Sequence, residues 1–332
     1  MRRREAEGRQ RTDPRTEGSD STYGNTGGEE VTGRITLRRG ALLLVSAILL
    51  GACGQAQADD LLAQILDRGT IVVSTDPNYA PQSVLKADGA RTEGTACAAD
   101  QLTAGEMEGF DVDVAVAIGQ RLGVETCFAT PVWDAITAGN WGGQWDISVG
   151  SMTITTARQE ILNFTTPYYY TPAQFAASAD SGITTLEDLS NQAICVGSAT
   201  TYESWLNGDM EGLGLPASSI YAVAPTGVTV VALETDQECA QAIAAGRTDF
   251  VAYLTSGTVV DQNIASGVPV VKVGSPVFSE DLSVAIDRAH TLDPATLVSR
   301  IDEIVQEMHT DGTLSELSMT WFGVDLTQAP SL

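Results

Sequence analysis

The sequence predicts an α/β fold, and three observations point to it. Short apolar runs at 71–74, 124–129, 193–196 and 270–273 alternate with helical segments, the pattern of a sheet covered by helices. Polar turns follow several of these runs, at the strand ends where open α/β sheets bind ligands. The chain has 332 residues, enough for two domains of ordinary size.

Charge narrows the function classes. The chain carries 43 acidic residues against 18 basic ones. Nine basic and seven acidic residues precede Cys53, so the remainder holds nine and 36, a net charge of −27. Phosphate binding needs lysine and arginine, so nucleic acid is not an expected partner. Nor is the face of an anionic membrane. Strong acidity suits a soluble exported protein and, less directly, a cationic ligand. The two histidines are His290 and His309, and the HExxH, CxxC, Walker A and GxGxxG motifs are absent. Neither a metal nor a cofactor is expected.

Residues 1–34 are polar, lack periodicity and read as a disordered lead. Arg34, Arg38 and Arg39, an apolar run at 41–50 and Gly51-Ala52-Cys53 then read as the parts of a signal peptide. The apolar run is too short to span a bilayer comfortably. Leu50-Gly51-Ala52-Cys53 resembles a bacterial lipobox. That resemblance implies lipid on Cys53 and an anchor in the cell membrane, facing the periplasm or exterior. Val31 is a candidate start, because a GTG codon there would give a leader of ordinary length. The lead and signal peptide thus occupy 1–52, and 53–60 is a small-residue tether.

Residues 61–66 read as a short amphipathic helix and 71–74 as the first core strand. Asp76-Pro77-Asn78-Tyr79 is a loop by composition. A polar insertion covers 86–106. Asp111 and Asp113 start a helix that Gly123 stops, as Asp favours first turns. Trp133, Trp141 and Trp145 are expected in the core. Ile147 and Val149 belong to a buried strand that Gly150 and Ser151 end. Thr155 or Thr156 then caps a helix. Arg158 in its first turn opposes the helix dipole, a cost that an anion at the same place would offset. A guanidinium beside hydroxyls and free amides suits a carboxylate. A surface arginine behind an ordinary cap fits the spacing equally well. Further on, strand 193–196 leads through Ser198, Ala199, Thr200 and Thr201 into a helix, a second turn with free amides and hydroxyls. Residues 238–245 form a helix and 246–252 run into a strand. Leu297, Ile301, Ile304, Val305 and Met308 share one face of a late helix.

Met152-Thr153-Ile154-Thr155-Thr156-Ala157-Arg158, followed by Asn163-Phe164-Thr165-Thr166-Pro167-Tyr168, resembles the central signature of the family 3 extracellular solute-binding proteins. These are receptors of ABC importers for polar amino acids. Gly109-Phe110-Asp111-Val112-Asp113, Gly246-Arg247-Thr248-Asp249 and Asp311-Gly312 with Trp321-Phe322-Gly323 recur in the family's order. The resemblance spans roughly 61–324. It implies the type II periplasmic-binding-protein fold, two α/β lobes joined by two crossover hinge strands. Lobe 1 would hold 61–173 and 282–332, and lobe 2 would hold 179–276, with ligand between them. The implied ligand contacts are Asp76 and Tyr79 from the first loop. Arg158 and Thr153 would clamp a carboxylate, helped by Gly150 and Ser151. Ser198, Thr200 and Thr201 would close from the other side. One departure stands out: Leu254 replaces the Asp with which family members hold the ligand ammonium. Asp76 is the nearest candidate to hold an amine instead.

Cys97, Cys127, Cys195 and Cys239 remain beside Cys53. Four cysteines allow three pairings, and export favours disulfides. The implied lobe division selects Cys97–Cys127 and Cys195–Cys239. The implied partners are an amino acid or related small carboxylate and the permease subunits of an ABC importer. A monomer without enzymatic activity is expected. The rival is a cyclohexadienyl-dehydratase-like enzyme on the same fold. It would need a cleft carboxylic acid of raised pKa, with Asp76 and Glu203 as candidates.

Overall fold

The computed structural model describes residues 59–330. The lead, the signal peptide, Cys53 and most of the tether lie outside the described residues. Helix α1 (Leu61–Arg68) is capped by Asp60, whose carboxylate accepts the Ala63 N–H at 2.8 Å. The first half continues with β1 (Thr70–Ser74), β2 (Asn78–Tyr79), β3 (Ser83–Leu85), β4 (Leu102–Thr103), β5 (Met107–Glu108) and α2 (Phe110–Leu122). Next come β6 (Glu125–Ala129), α3 (Trp133–Thr137), β7 (Ile147–Thr153), α4 (Thr156–Gln159), β8 (Leu162–Phe164) and the long strand β9 (Tyr169–Ser178). The second half contains β10 (Ala193–Gly197), α5 (Thr201–Leu206), α6 (Met210–Leu213), β11 (Thr229–Leu233), α7 (Asp236–Ala244), β12 (Ala252–Ser256) and α8 (Gly257–Ala265). Strand β13 (Val270–Asp287) leads back to α9 (Ala295–Thr310) and α10 (Thr313–Phe322). No helix among the described residues is long and apolar enough to cross a membrane.

One ten-stranded sheet runs β11-β10-β12-β9-β13-β7-β1-β6-β4, with β8 also paired to β13. Within each half the central pairs are parallel, β1 with β6 and β7, and β10 with β11 and β12. Parallel neighbours need crossover connections, which the helices supply. Strands β9 and β13 run antiparallel through the middle and belong to both halves. β9 pairs with β12, β13 pairs with β7, and the two pair with each other. Each half keeps its own apolar core. Ile71, Phe110, Phe128, Ile147 and Val284 pack in one, with the predicted face of α9 laid against them. Phe175, Ile194, Trp205, Leu254 and Phe278 pack in the other.

Three local expectations change. β7 does not end at Gly150 and Ser151 but continues to Thr153. Its partner β13 shifts register between Ser283 and Ala285, opposite this stretch, so the small residues accommodate an irregularity rather than stop the strand. α7 starts at Asp236, two residues early, because the Thr235 side chain caps it by accepting the Glu238 N–H. The polar insertion docks on the sheet: β4 pairs with β6 at the edge, and Cys97 is bonded to Cys127 of β6. A second disulfide, Cys195–Cys239, ties β10 to α7.

Candidate functional site

Between the two halves lies a cavity. Asp76, Tyr79, Trp133, Gly150, Ser151, Thr153 and Arg158 line it from the first half. Thr200, Thr201, Tyr202, Glu234, Thr235 and Asp236 line it from the second, and Glu280 of β13 completes it. The strand ends place these residues. Asp76 and Tyr79 follow the carboxyl end of β1, Thr200 follows β10, and Glu234 follows β11.

Arg158 is positioned by the single turn of α4, where Thr155 accepts its N–H at 3.1 Å. Arg158 as a whole is 8% exposed. Nη1 donates to the Thr153 carbonyl at 3.0 Å, and Nη2 reaches across to the Ala199 carbonyl at 2.9 Å. The guanidinium lies 5.4 Å from the Trp133 ring centroid, a cation–π contact. Burial lowers its pKa to about 10. Among the described residues no carboxylate forms an ion pair with it.

Glu280 is 1% exposed. It accepts the Thr153 hydroxyl at 2.7 Å, the Thr201 hydroxyl at 2.5 Å and the Tyr202 phenol at 2.7 Å. Burial raises its pKa, and the three hydroxyls and Arg158 oppose that rise. The Thr153 hydroxyl, expected on a ligand carboxylate, is therefore committed to a carboxylate of the chain itself. Asp236 is the second buried acid. Its Oδ1 accepts the Gly197 N–H at 2.6 Å and its Oδ2 accepts the Thr255 hydroxyl at 2.9 Å. Burial pushes its pKa up to about 7, with Glu280 and Asp76 adding to the rise. Asp76 caps its own loop by accepting the Asn78 N–H at 2.7 Å. Burial raises its pKa too; the Asn78 bond opposes this, and Glu234 and Glu238 reinforce it. The Tyr79 phenol is likewise held well above its ordinary pKa, chiefly by burial.

Of the expected contacts, Ser151 lines the cavity with its polar groups already bonded within the first half, and Ser198 lies elsewhere. Ser151 adopts a left-handed φ of 54°, which turns its polar groups inward. Its N–H donates to the Tyr168 phenol at 2.9 Å, its hydroxyl donates to Asp111 at 2.7 Å, and the Tyr169 phenol lies 2.6 Å from that hydroxyl. These groups are hydrogen-bonded inside the first half. Asp111, fully buried under them, also accepts the Tyr168 phenol at 2.8 Å; desolvation raises its pKa to about 7 against the Ser151 and Tyr168 hydrogen bonds. Ser198 lies outside the cavity and donates to Asp134 at 3.3 Å across the halves. Glu203 also lies off the cavity, holding the Ala199 N–H at 2.8 Å.

Other residues escape sequence reasoning. Trp133, expected in the core, lines the cavity, and its Nε1 donates to the Ala199 carbonyl at 3.3 Å. The alternation of β12 puts Leu254 wholly in the core and turns Thr255 towards Asp236. A carboxylate therefore reaches this region from α7 rather than from β12. Only the Thr-Asp pair at a helix start hints at Asp236, and that pattern reads as ordinary capping. Glu280 carries no local signal.

The halves are closed on each other. Besides the Arg158 and Trp133 bonds to Ala199, Gln82 donates to Thr258 at 2.6 Å and Gln241 to Asn78 at 3.4 Å. The arrangement thus holds a buried guanidinium and buried carboxylates within one enclosure, without ion pairs among them.

Residues 71–324 match the model of the bacterial extracellular solute-binding proteins, family 3. The chain is similar to the L-cystine-binding protein TcyJ of Escherichia coli K12, 28% identical over 297 residues covering 88% of this chain and 98% of the relative. It is also similar to the solved structure of the ancestral amino acid-binding protein AncCDT-1, a precursor of cyclohexadienyl dehydratase. That match has 27% identity and a TM-score of 0.61, covering 79% of this chain and 99% of that one. The P235GK mutant of ArgBP from T. maritima shares the fold, with a TM-score of 0.62, 21% identity, and coverage of 79% and 99%. The protein belongs to the family 3 bacterial extracellular solute-binding proteins.

Proposed function

We propose that this protein is the extracytoplasmic receptor of an ABC importer and binds an amino acid between its two lobes. One observation carries the ligand class. Arg158 and Asp236, buried and without ion partners among the described residues, line the same cavity from opposite lobes. A buried charge is costly unless paired. The carboxylate and ammonium of an α-amino acid complement this pair. Arg158 keeps N–H groups beyond the two bonded to carbonyls, and these serve the ligand carboxylate. Asp236, supported by Asp76, takes the ammonium in place of the Asp that Leu254 replaces. Contacts to both lobes favour the closed form, which is the form handed to the permease. The relatives that bind L-cystine or amino acids support the reading. The lipobox at Cys53 supports a membrane tether, to be tested by palmitate labelling of wild type against Cys53→Ala.

The test compares an amino acid with its deaminated analogue by calorimetry, after mass spectrometry of ligand released from the denatured protein. The analogue is expected to bind at least tenfold more weakly. Equal binding would remove the amino-acid assignment. A second reading, a dehydratase, is favoured by the cavity-lining Asp236, whose pKa of about 7 suits a general acid. Turnover of a carboxylated ring substrate by the purified protein would replace the receptor reading.

A further inference from the structure

Charge around the cavity is unequal, and the surplus lies to one side. A side chamber adjoins the cavity and shares Asp76, Trp133, Glu234 and Thr235 with it. The chamber adds Glu238, and no lysine or arginine is among the described residues that line it. Arg158, Asp236 and Glu280 line the cavity but not the chamber. Asp76 comes from the first lobe, and Glu234 and Glu238 come from the second. Closure therefore sets like charges opposite one another, which opposes closure until a cation lies between them. An independent observation marks the other end. The buried Arg158 guanidinium, stacked on Trp133, lines the cavity with no ion partner among the described residues.

We infer that the ligand is an α-amino acid whose side chain carries a net positive charge, seated among Asp76, Glu234 and Glu238. This inference rests on the proposed function. The α-carboxylate lies at Arg158 and the α-ammonium at Asp236, so the side chain extends past Trp133 into the chamber. A neutral side chain leaves the facing carboxylates uncompensated in the closed form. Cystine ends in an ammonium and a carboxylate together, so its far end brings no net positive charge and sets a further carboxylate against the acidic side chains. Selectivity then comes from repulsion of the wrong ligand as much as from attraction of the right one.

The experiment is calorimetry of the exported chain with L-arginine, L-lysine, L-glutamine and L-cystine. Arginine or lysine is expected to bind at least a hundredfold more tightly than glutamine or cystine. Glu234 is exposed and Glu238 half-buried, so raising the salt concentration should shrink that ratio. The double variant Glu234→Gln, Glu238→Gln should lower the ratio at least tenfold, with circular dichroism confirming its fold. Glutamine or cystine binding as tightly as arginine would overturn the inference and leave the receptor reading standing. An unchanged ratio in the variant would overturn the placement of the cation. Binding of none of the four would take down the amino-acid reading and this inference together.

Discussion

Arg158 sits in a helix of four residues, too short for the dipole to weigh much against a cation. Its position is instead fixed by the carbonyls of Thr153 and Ala199 and by the Trp133 ring. Arg158→Ala removes these contacts and the charge at once, so amino-acid affinity is expected to fall more than tenfold, or about 1.4 kcal/mol. Arg158→Lys should also bind poorly, because an ammonium cannot span two carbonyls and a ligand carboxylate. Calorimetry on both variants checks this; a smaller loss would remove the clamp. The location of Arg158, Asp76 and Tyr79 was legible because each sits in a short loop or turn after a strand. Asp236 and Glu280 were not, because their partners are far off in sequence: Gly197 is 39 residues from Asp236, and Thr153 is 127 from Glu280. Asp111 was read only as a helix-starting Asp, yet it lies under the cavity floor with a pKa of about 7. A raised carboxyl pKa means that the folded state holds a proton the unfolded chain has already released. The stability it contributes is present below the ordinary value of 3.8 and is lost as pH rises through about 7. Asp236 acts in the same direction. Asp111→Asn keeps an acceptor for Tyr168 and can donate to Ser151. Its melting temperature should fall less than that of wild type between about pH 5 and about pH 8. Parallel curves would show that Asp111 does not titrate in this window.

At the scale of elements, the core strands and α9 were legible because apolar spacing directly encodes which face is buried. The edge strand β4 was not. It has two residues in a polar insertion, and its conformation depends on β6 and on the disulfide rather than on its own composition. Likewise, that Leu254 faces the core follows from the pairing of β12 with β9 and β10, which sets the phase of the strand. Cys97–Cys127 closes a loop with a sequence separation of 30. Removing it by Cys97→Ser with Cys127→Ser should cost roughly 3–4 kcal/mol in the chain-entropy account. Urea unfolding of the two proteins measures the difference. A loss below about 1 kcal/mol would mean that the β4–β6 pairing, not the covalent link, holds the insertion.

At the scale of the whole molecule, the two-lobe plan was legible from the family signature, but the surfaces that meet on closure were not. They join segments with no shared pattern, such as α4 of the first lobe and the end of α6 in the second. Gly214 follows α6 with a left-handed φ of 59°. A Cβ there would collide with the Thr156 side chain across the interface. Gly214→Ala should therefore act in two separable ways. The left-handed backbone costs about 1–2 kcal/mol whether the lobes are open or closed, which lowers the melting temperature of the ligand-free protein. The added methyl obstructs the closed form alone, so affinity should fall as well, by tenfold or more. Adding Thr156→Ala removes the nearest obstructing atom and should recover part of the affinity while leaving the backbone cost in place. Calorimetry and thermal melting on the single and double variants separate the two. If the second substitution recovers no affinity, the approach of Gly214 to Thr156 is not part of the ligand-bound closure.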